Sequence, residues 1–155
     1  MKILLIEDDE FKKRNIEEFL DSLGGNDVSS VGAVNSAISS LRENTYDLII
    51  LDMSLPTFDF GPNEKGGRPQ GFGGREILRQ LERFEIVVPV IVVTQYATFD
   101  DENEYMRLEE LDKKLMSDHP ENFYGLVFYD ASADNWKNGL EIYIYSIRNI
   151  LKGEK

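Results

Sequence analysis

Four carboxylates sit at positions where they can share a task. Glu7, Asp8 and Asp9 follow directly on the apolar run Ile3-Leu4-Leu5-Ile6, and Asp52 closes a second apolar run, Leu48–Leu51. If both runs are buried strands whose ends meet at one rim, these acids converge. Two ionised carboxylates about 4 Å apart repel by roughly 4 kcal/mol at an effective dielectric near 20. A site with three of them requires a compensating cation or a retained proton. No cysteine exists in the chain and its single histidine, His119, lies far along the sequence, so the donors are oxygens throughout. Oxygen-only sites suit a hard ion such as Mg²⁺, which keeps waters and accepts a phosphate oxygen. With such an ion in place, Asp52 is free to act as a nucleophile toward a phosphoryl group.

The elements that must position these acids read as alternating strands and helices. Lys2–Ile6 is a strand opening into a helix capped by Asp9, whose apolar positions Phe11, Ile16, Phe19, Leu20 and Leu23 recur at helical spacing up to Gly24-Gly25. Asp27–Val31 reads as a second strand, and Asn35 as the cap of a second helix. Tyr46–Leu51 is apolar enough to be buried on both faces. Residues 53–74, rich in Gly and Pro, form a long loop before a third helix over Arg75–Phe84. Val87–Val93 is a fourth strand ending at Thr94, and Asp100–Ser117 a charged amphipathic helix carrying Tyr105, Leu108, Leu111 and Leu115. Phe123–Tyr129 is a fifth strand, followed by a last helix from about Asp134 to Leu151. The pattern predicts an α/β fold, a doubly wound five-stranded parallel sheet flanked by helices. In such sheets ligands bind outside the carboxyl ends of the strands.

Composition narrows the function classes. A formal net charge of −12 argues against sequence-tolerant nucleic-acid binding and against docking on anionic membranes. The apolar stretches are too short to cross a bilayer, and the first residues are not a signal peptide, which fits a cytoplasmic protein. At 155 residues the expectation is one domain over 1–155. No Gly-rich phosphate loop follows the first strand.

Taken in order, Ile3–Glu10, Leu51-Asp52-Met53-Ser54-Leu55-Pro56, Val92-Val93-Thr94 and Gly74 with Glu76-Ile77-Leu78 resemble the receiver domains of bacterial two-component response regulators, the flavodoxin-like CheY type. The resemblance spans nearly the whole chain. It implies a phosphorelay signalling domain, not an enzyme beyond weak autophosphatase activity, that becomes an aspartyl phosphate at Asp52. It implies direct Mg²⁺ contacts from Asp8, Asp52 and the Ser54 backbone carbonyl, with Glu7 assisting through water and Asp9 capping the helix. Thr94 would turn its hydroxyl onto a phosphoryl oxygen. The implied partners are a histidine kinase or phosphotransfer protein and an output protein reached by protein–protein contacts. A dimer is compatible.

The chain departs from that family in four places. Where the family carries a lysine at the end of the fifth strand, Tyr129 stands, followed by Asp130. A phenol donates one hydrogen bond but brings no positive charge. Lys65, Arg68, Arg75 and Lys137 are the candidate replacements. Gln95 follows Thr94 where a small residue is usual, either crowding Asp52 or pointing to solvent. The loop at about 56–73 is longer than the family needs and carries Phe58, Phe60 and Phe72, as a partner contact, a lid or a mobile insertion. The stretch at about 100–120 enlarges the fourth-helix region. His119 reads as an incidental loop residue and Trp136 as a core or interface anchor. These departures keep open a second class of function, a phosphorylation-independent pseudo-receiver that acts as a protein-binding module. An aspartyl phosphatase would need a second Asp where Ser54 stands.

Overall fold

The strand at the N-terminus, β1 (Lys2–Ile6), pairs in parallel with β2 (Asp27–Val31) on one side and β3 (Leu48–Leu51) on the other. A computed structural model of the protein describes residues 1–58, 73–96, 98–101 and 104–153. Beyond β3 lie β4 (Val90–Thr94) and, after an antiparallel hairpin β5 (Thr98–Asp101) and β6 (Glu104–Arg107), the strand β7 (Phe123–Phe128). The main sheet runs β2-β1-β3-β4-β7, every pair parallel. Chain order reverses between β1 and β3, so the crevice expected of a doubly wound sheet falls at the ends of those two strands.

Side chains alternate across the sheet and divide the core in two. Leu4, Ile6, Ile49, Leu51, Val90 and Val92 face one side. There they meet α2 (Val34–Glu43), α3 (Gly73–Arg83) and α4 (Leu108–Asp118). Ile3, Leu5, Leu48, Ile50, Ile91 and Val93 face the other, against α1 (Glu10–Leu23) and α5 (Asn135–Gly153). Strands buried on both faces need no polar alternation, which is why β3 and β4 read as continuous apolar runs. Trp136 lies in this second layer, edge-on to Phe19 at 5.5 Å and tilted against Tyr129 at 5.1 Å. It is a core anchor.

Four local expectations are corrected. The helix expected over Asp100–Ser117 begins only at Leu108. The residues before it pair as a hairpin, Thr98 opposite Arg107 and Asp101 opposite Glu104. Thr98, Phe99 and Tyr105 favour extended backbone, and the helical leucine spacing is confined to Leu108, Leu111 and Leu115. Asn35 does not cap α2: the cap position is Ala33, which offers no side-chain bond. The exposed donors at that helix start are met instead by the chain after β3, Val34 N–H donating to the Pro56 carbonyl (3.0 Å) and Asn35 N–H to the Thr57 carbonyl (3.1 Å). Strands β3 and β4 start later than expected, at Leu48 and Val90. Phe11 is 63% exposed, and the buried stripe of α1 is Lys12, Ile16 and Leu20. The loop expected at about 56–73 lies, from 59 to 72, outside the described residues.

α3 begins where backbone crowds backbone. Gly74 N–H donates to the Met53 carbonyl at 2.8 Å, and a Cβ on Gly74 would lie 2.8 Å from the Asp52 carbonyl oxygen and 2.9 Å from Met53 Cα. Neither neighbour is the flexible end of a side chain. Gly74→Ala is therefore expected to lower stability by about 1–3 kcal/mol and to disturb the turn after Asp52, read as a fall in the urea midpoint. An unchanged midpoint would show that the turn relaxes freely.

Candidate functional site

Backbone ladders deliver the acids to one place. Glu7 N–H donates to the Val31 carbonyl and Asp52 N–H to the Ile6 carbonyl, each at 3.0 Å, so both residues extend the pairing one step past their strands. Period-two alternation then carries their side chains over the β1–β3 rim. One carboxylate oxygen from each of Glu7, Asp8 and Asp52 lies within 4.8 Å of the others. Asp9 turns away to cap α1, accepting the Lys12 backbone N–H at 2.9 Å, while its own N–H donates to Glu7 Oε2 at 3.1 Å. A cleft of about 360 Å³ lined by Glu7, Asp8, Lys13 and Ser30 opens beside the group.

Sequence reasoning missed the central cation. Lys12, 1% exposed, reaches across from α1 and places Nζ 2.5 Å from Glu7 Oε1 and 3.4 Å from Asp52 Oδ1, while donating to the Val93 carbonyl at 2.8 Å. Its signal was its register: Lys12, Ile16 and Leu20 are spaced by four, so one helix face carries all three. Choosing Phe11 as the inner residue on hydrophobicity hid this. The candidate replacements lie elsewhere. Arg75 pairs with Asp118 at 3.8 Å and Lys137 with Asp134 at 3.2 Å, and Lys65 and Arg68 are outside the described residues.

Burial sets the electrostatics. It raises the Glu7 carboxyl to about 8, with the Asp52 charge adding to the shift and Lys12 opposing it. Burial likewise raises Asp8 above the ordinary carboxylate range. Asp52 is raised by burial first, against the pull of Lys12 and the Ser54 backbone N–H. For Lys12 burial works against the charge, but Asp52 and Glu7 together outweigh it and the ammonium is held more firmly than usual. Asp52 Oδ1 is buried and accepts no hydrogen bond. A buried carboxylate oxygen that accepts no hydrogen bond and is paired to Lys12 only loosely, at 3.4 Å, among carboxylate donors is a good match to a hard divalent cation, and Glu7, Asp8 and Asp52 are the side chains that would hold it.

The remaining site residues surround this centre. Thr94 ends β4 fully buried, and its Oγ1 accepts the Tyr96 backbone N–H at 3.3 Å. Ser54 follows Asp52 by two residues on the turn toward α3. Tyr129 comes directly after β7 and is 2% exposed. Its N–H donates to the Thr94 carbonyl at 2.7 Å, and its hydroxyl accepts from Asn15 Nδ2 at 2.8 Å. The ring stands 5.7 Å from Lys12 Nζ. Gln95 bonds through Nε2 to the exposed Tyr96 hydroxyl at 3.3 Å. His119 is buried, with Nδ1 2.6 Å from Glu82 Oε1, and serves to fasten the turn after α4 to α3.

Comparison with known proteins agrees with the fold. The family described as "Response regulator receiver domain" matches residues 3–66. The "Detocs response regulatory protein DtcB" of Vibrio alginolyticus is 30% identical over 139 residues, covering 87% of this chain and 93% of that protein. An uncharacterised protein of Sinorhizobium fredii, y4jR, is 31% identical over 91% of this chain and 95% of its own length. Among solved structures, the signal receiver domain of a LuxO repressor protein from Vibrio parahaemolyticus superposes with TM-score 0.66 at 18% identity, covering 99% of this chain and 97% of that one. Response regulator TrrA of Thermotoga maritima, solved in complex with Mg²⁺ and BeF, gives TM-score 0.61 at 18% identity over 92% of this chain and 97% of that one. Among the described residues no helix is long and apolar enough to cross a membrane.

Proposed function

Since the chain belongs to the response regulator receiver domains of two-component systems, we propose that it accepts a phosphoryl group on Asp52, with Mg²⁺, and passes the signal on through protein–protein contacts. The observation that carries this reading is the Asp52 carboxylate, buried and with one oxygen accepting no hydrogen bond, set with oxygens from Glu7 and Asp8 that all lie within 4.8 Å of one another. The donor is the phosphohistidine of a kinase or phosphotransfer protein, or a small acyl phosphate. An Asp52 carboxylate oxygen forms the new P–O bond as the P–N bond to the donor imidazole breaks, and the imidazole takes up a proton as it leaves. A bound divalent ion would supply neutralisation of charge on the transferring group. Glu7 and Asp8 hold negative potential at the rim, and the Thr94 hydroxyl, buried at the tip of β4, donates to a phosphoryl oxygen. The Ser54 backbone carbonyl would be a further donor to the ion. A cytoplasmic location follows from the kinase partner.

Apolar side chains left at the surface support signalling by contact. Phe128 on the edge strand is 43% exposed, and Ile142 and Tyr145 on α5 are 69% and 67% exposed. Such groups suit an output protein or a second copy of the chain more than open water. The whole chain works as one domain in this reading.

A second reading is favoured by one observation. Lys12 already sits against Glu7 and Asp52 with no phosphate needed, as in a silent scaffold that binds partners in one state. Intact-mass measurement after incubation with acetyl phosphate, with and without Mg²⁺, separates the two. The phosphoacceptor reading expects one added phosphoryl group only when Mg²⁺ is present. An unmodified mass under both conditions supports the scaffold.

A further inference from the structure

We infer that Lys12 is the cation that meets the incoming phosphoryl group, delivered from the first helix and not from a strand end. This rests on the phosphoacceptor reading of Asp52. An ammonium has three N–H bonds to give. Lys12 spends two, on Glu7 Oε1 at 2.5 Å and the Val93 carbonyl at 2.8 Å. The third faces Asp52 Oδ1 at 3.4 Å, and among the described residues that oxygen accepts no hydrogen bond. A donor and an acceptor, both buried, are thus joined by a long ion pair at 3.4 Å that is not closed into a well-formed hydrogen bond. An oxygen carried on a phosphorylated Asp52 is the group that fills such a gap.

Charge makes the same demand. The two remaining carboxylates, Glu7 and Asp8, and a phosphoryl group carrying about −1.5 to −2 outweigh one divalent ion, so the phosphorylated site calls for a further positive charge. Lys13, Arg75 and Lys137 are engaged with Glu10, Asp118 and Asp134. Tyr129, where a strand-borne cation would stand, bonds through its hydroxyl to Asn15 and presents its ring to Lys12 Nζ at 5.7 Å. That ring stands against one side of the ammonium, whose contacts on the other side include Asp52. The pair Tyr129 and Lys12 forms a single unit in which the aromatic walls and the helix residue supplies the charge.

The test compares wild type with Lys12→Met and Lys12→Arg. Trp136, packed 5.1 Å from the Tyr129 ring, is the fluorescent reporter. Each protein is titrated with Mg²⁺ alone, then with beryllofluoride at saturating Mg²⁺, and finally assayed for uptake from acetyl phosphate by intact mass. Lys12→Met is expected to bind Mg²⁺ as tightly as wild type or more tightly, since a competing cation is gone, which also shows the site to be folded. Its beryllofluoride affinity and phosphorylation rate are expected to fall at least about tenfold, the loss of one charge-assisted hydrogen bond, with Lys12→Arg intermediate. Lys12→Met matching a responsive wild type in mimic affinity and uptake overturns the assignment and leaves the phosphoacceptor reading intact. Loss of Mg²⁺ binding in parallel with mimic binding also overturns it, because Lys12 is then only a structural prop. A wild-type protein silent to mimic and donor alike overturns both readings.

Discussion

Asp52→Asn is expected to abolish phosphate uptake from acetyl phosphate outright while making the metal-free protein more stable. The first effect follows from chemistry: an amide oxygen lacks the nucleophilicity of a carboxylate, and Asp52 is the acceptor in the proposed transfer. The second follows from burial. The Asp52 carboxyl is raised above its ordinary value, chiefly because ionising it inside the protein is costly. A carboxyl that holds its proton more readily folded than unfolded draws stability away as pH climbs above its unfolded value. Asparagine removes that cost at neutral pH and relieves Glu7, whose own rise is partly due to Asp52. The Lys12–Glu7 pair at 2.5 Å is kept. A gain of about 1–2 kcal/mol is expected, measured as the urea midpoint in chelator. Phosphate uptake by the variant at the wild-type rate would sink the assignment of the acceptor. A lower midpoint would mean that the Lys12–Asp52 attraction outweighs burial. Such an opposition between activity and stability is common where charges are gathered for chemistry.

Lys12→Met, in the absence of divalent ions, is expected to be among the most destabilising single changes in the described part of the chain. Methionine fits the volume and the helix, and it continues the apolar stripe with Ile16 and Leu20. What it removes is the cation that Glu7 and Asp52, 2% and 5% exposed, are both paired with. Breaking a buried ion pair from one side costs about 3–5 kcal/mol, whereas an exposed pair costs less than about 1 kcal/mol. Saturating Mg²⁺ should return much of the loss, because an ion that binds only the folded state stabilises it by mass action. The check is thermal unfolding at pH 7 with chelator and with Mg²⁺. A melting point in chelator equal to wild type would show that the buried pair contributes nothing net.

The sheet and its acidic rim were legible because their signals are local. Apolar runs ending in Glu7 and Asp52 mark buried strands, and parallel pairing at a switch point forces their tips together. Asp9 was legible as a cap because a side chain acting three residues ahead is a matter of short-range geometry. Lys12 was not, since hydrophobicity alone places the neighbouring phenylalanine inward, and only the carboxylates beyond β1 make a buried ammonium favourable. The hairpin of β5 and β6 was hidden for another reason. Its two strands are four residues each, and their apolar members can be fitted to a helical period continuous with α4. The start of α2 was misjudged because its donors are met by Pro56 and Thr57, carbonyls from a distant part of the chain. A long-range partner leaves no mark in a local window.

Those same bonds have a use at the bench. Pro56 and Thr57 are stitched onto the start of α2 and Leu55 lies against Gly73, while Gly74 is clasped by Met53. Both flanks of the intervening segment are thus fastened to the scaffold close together. Exchanging residues 59–72 for a different length of chain changes the closure entropy only logarithmically and leaves the seat of Asp52 in register. The position is therefore a natural splice point for a reporter or an epitope.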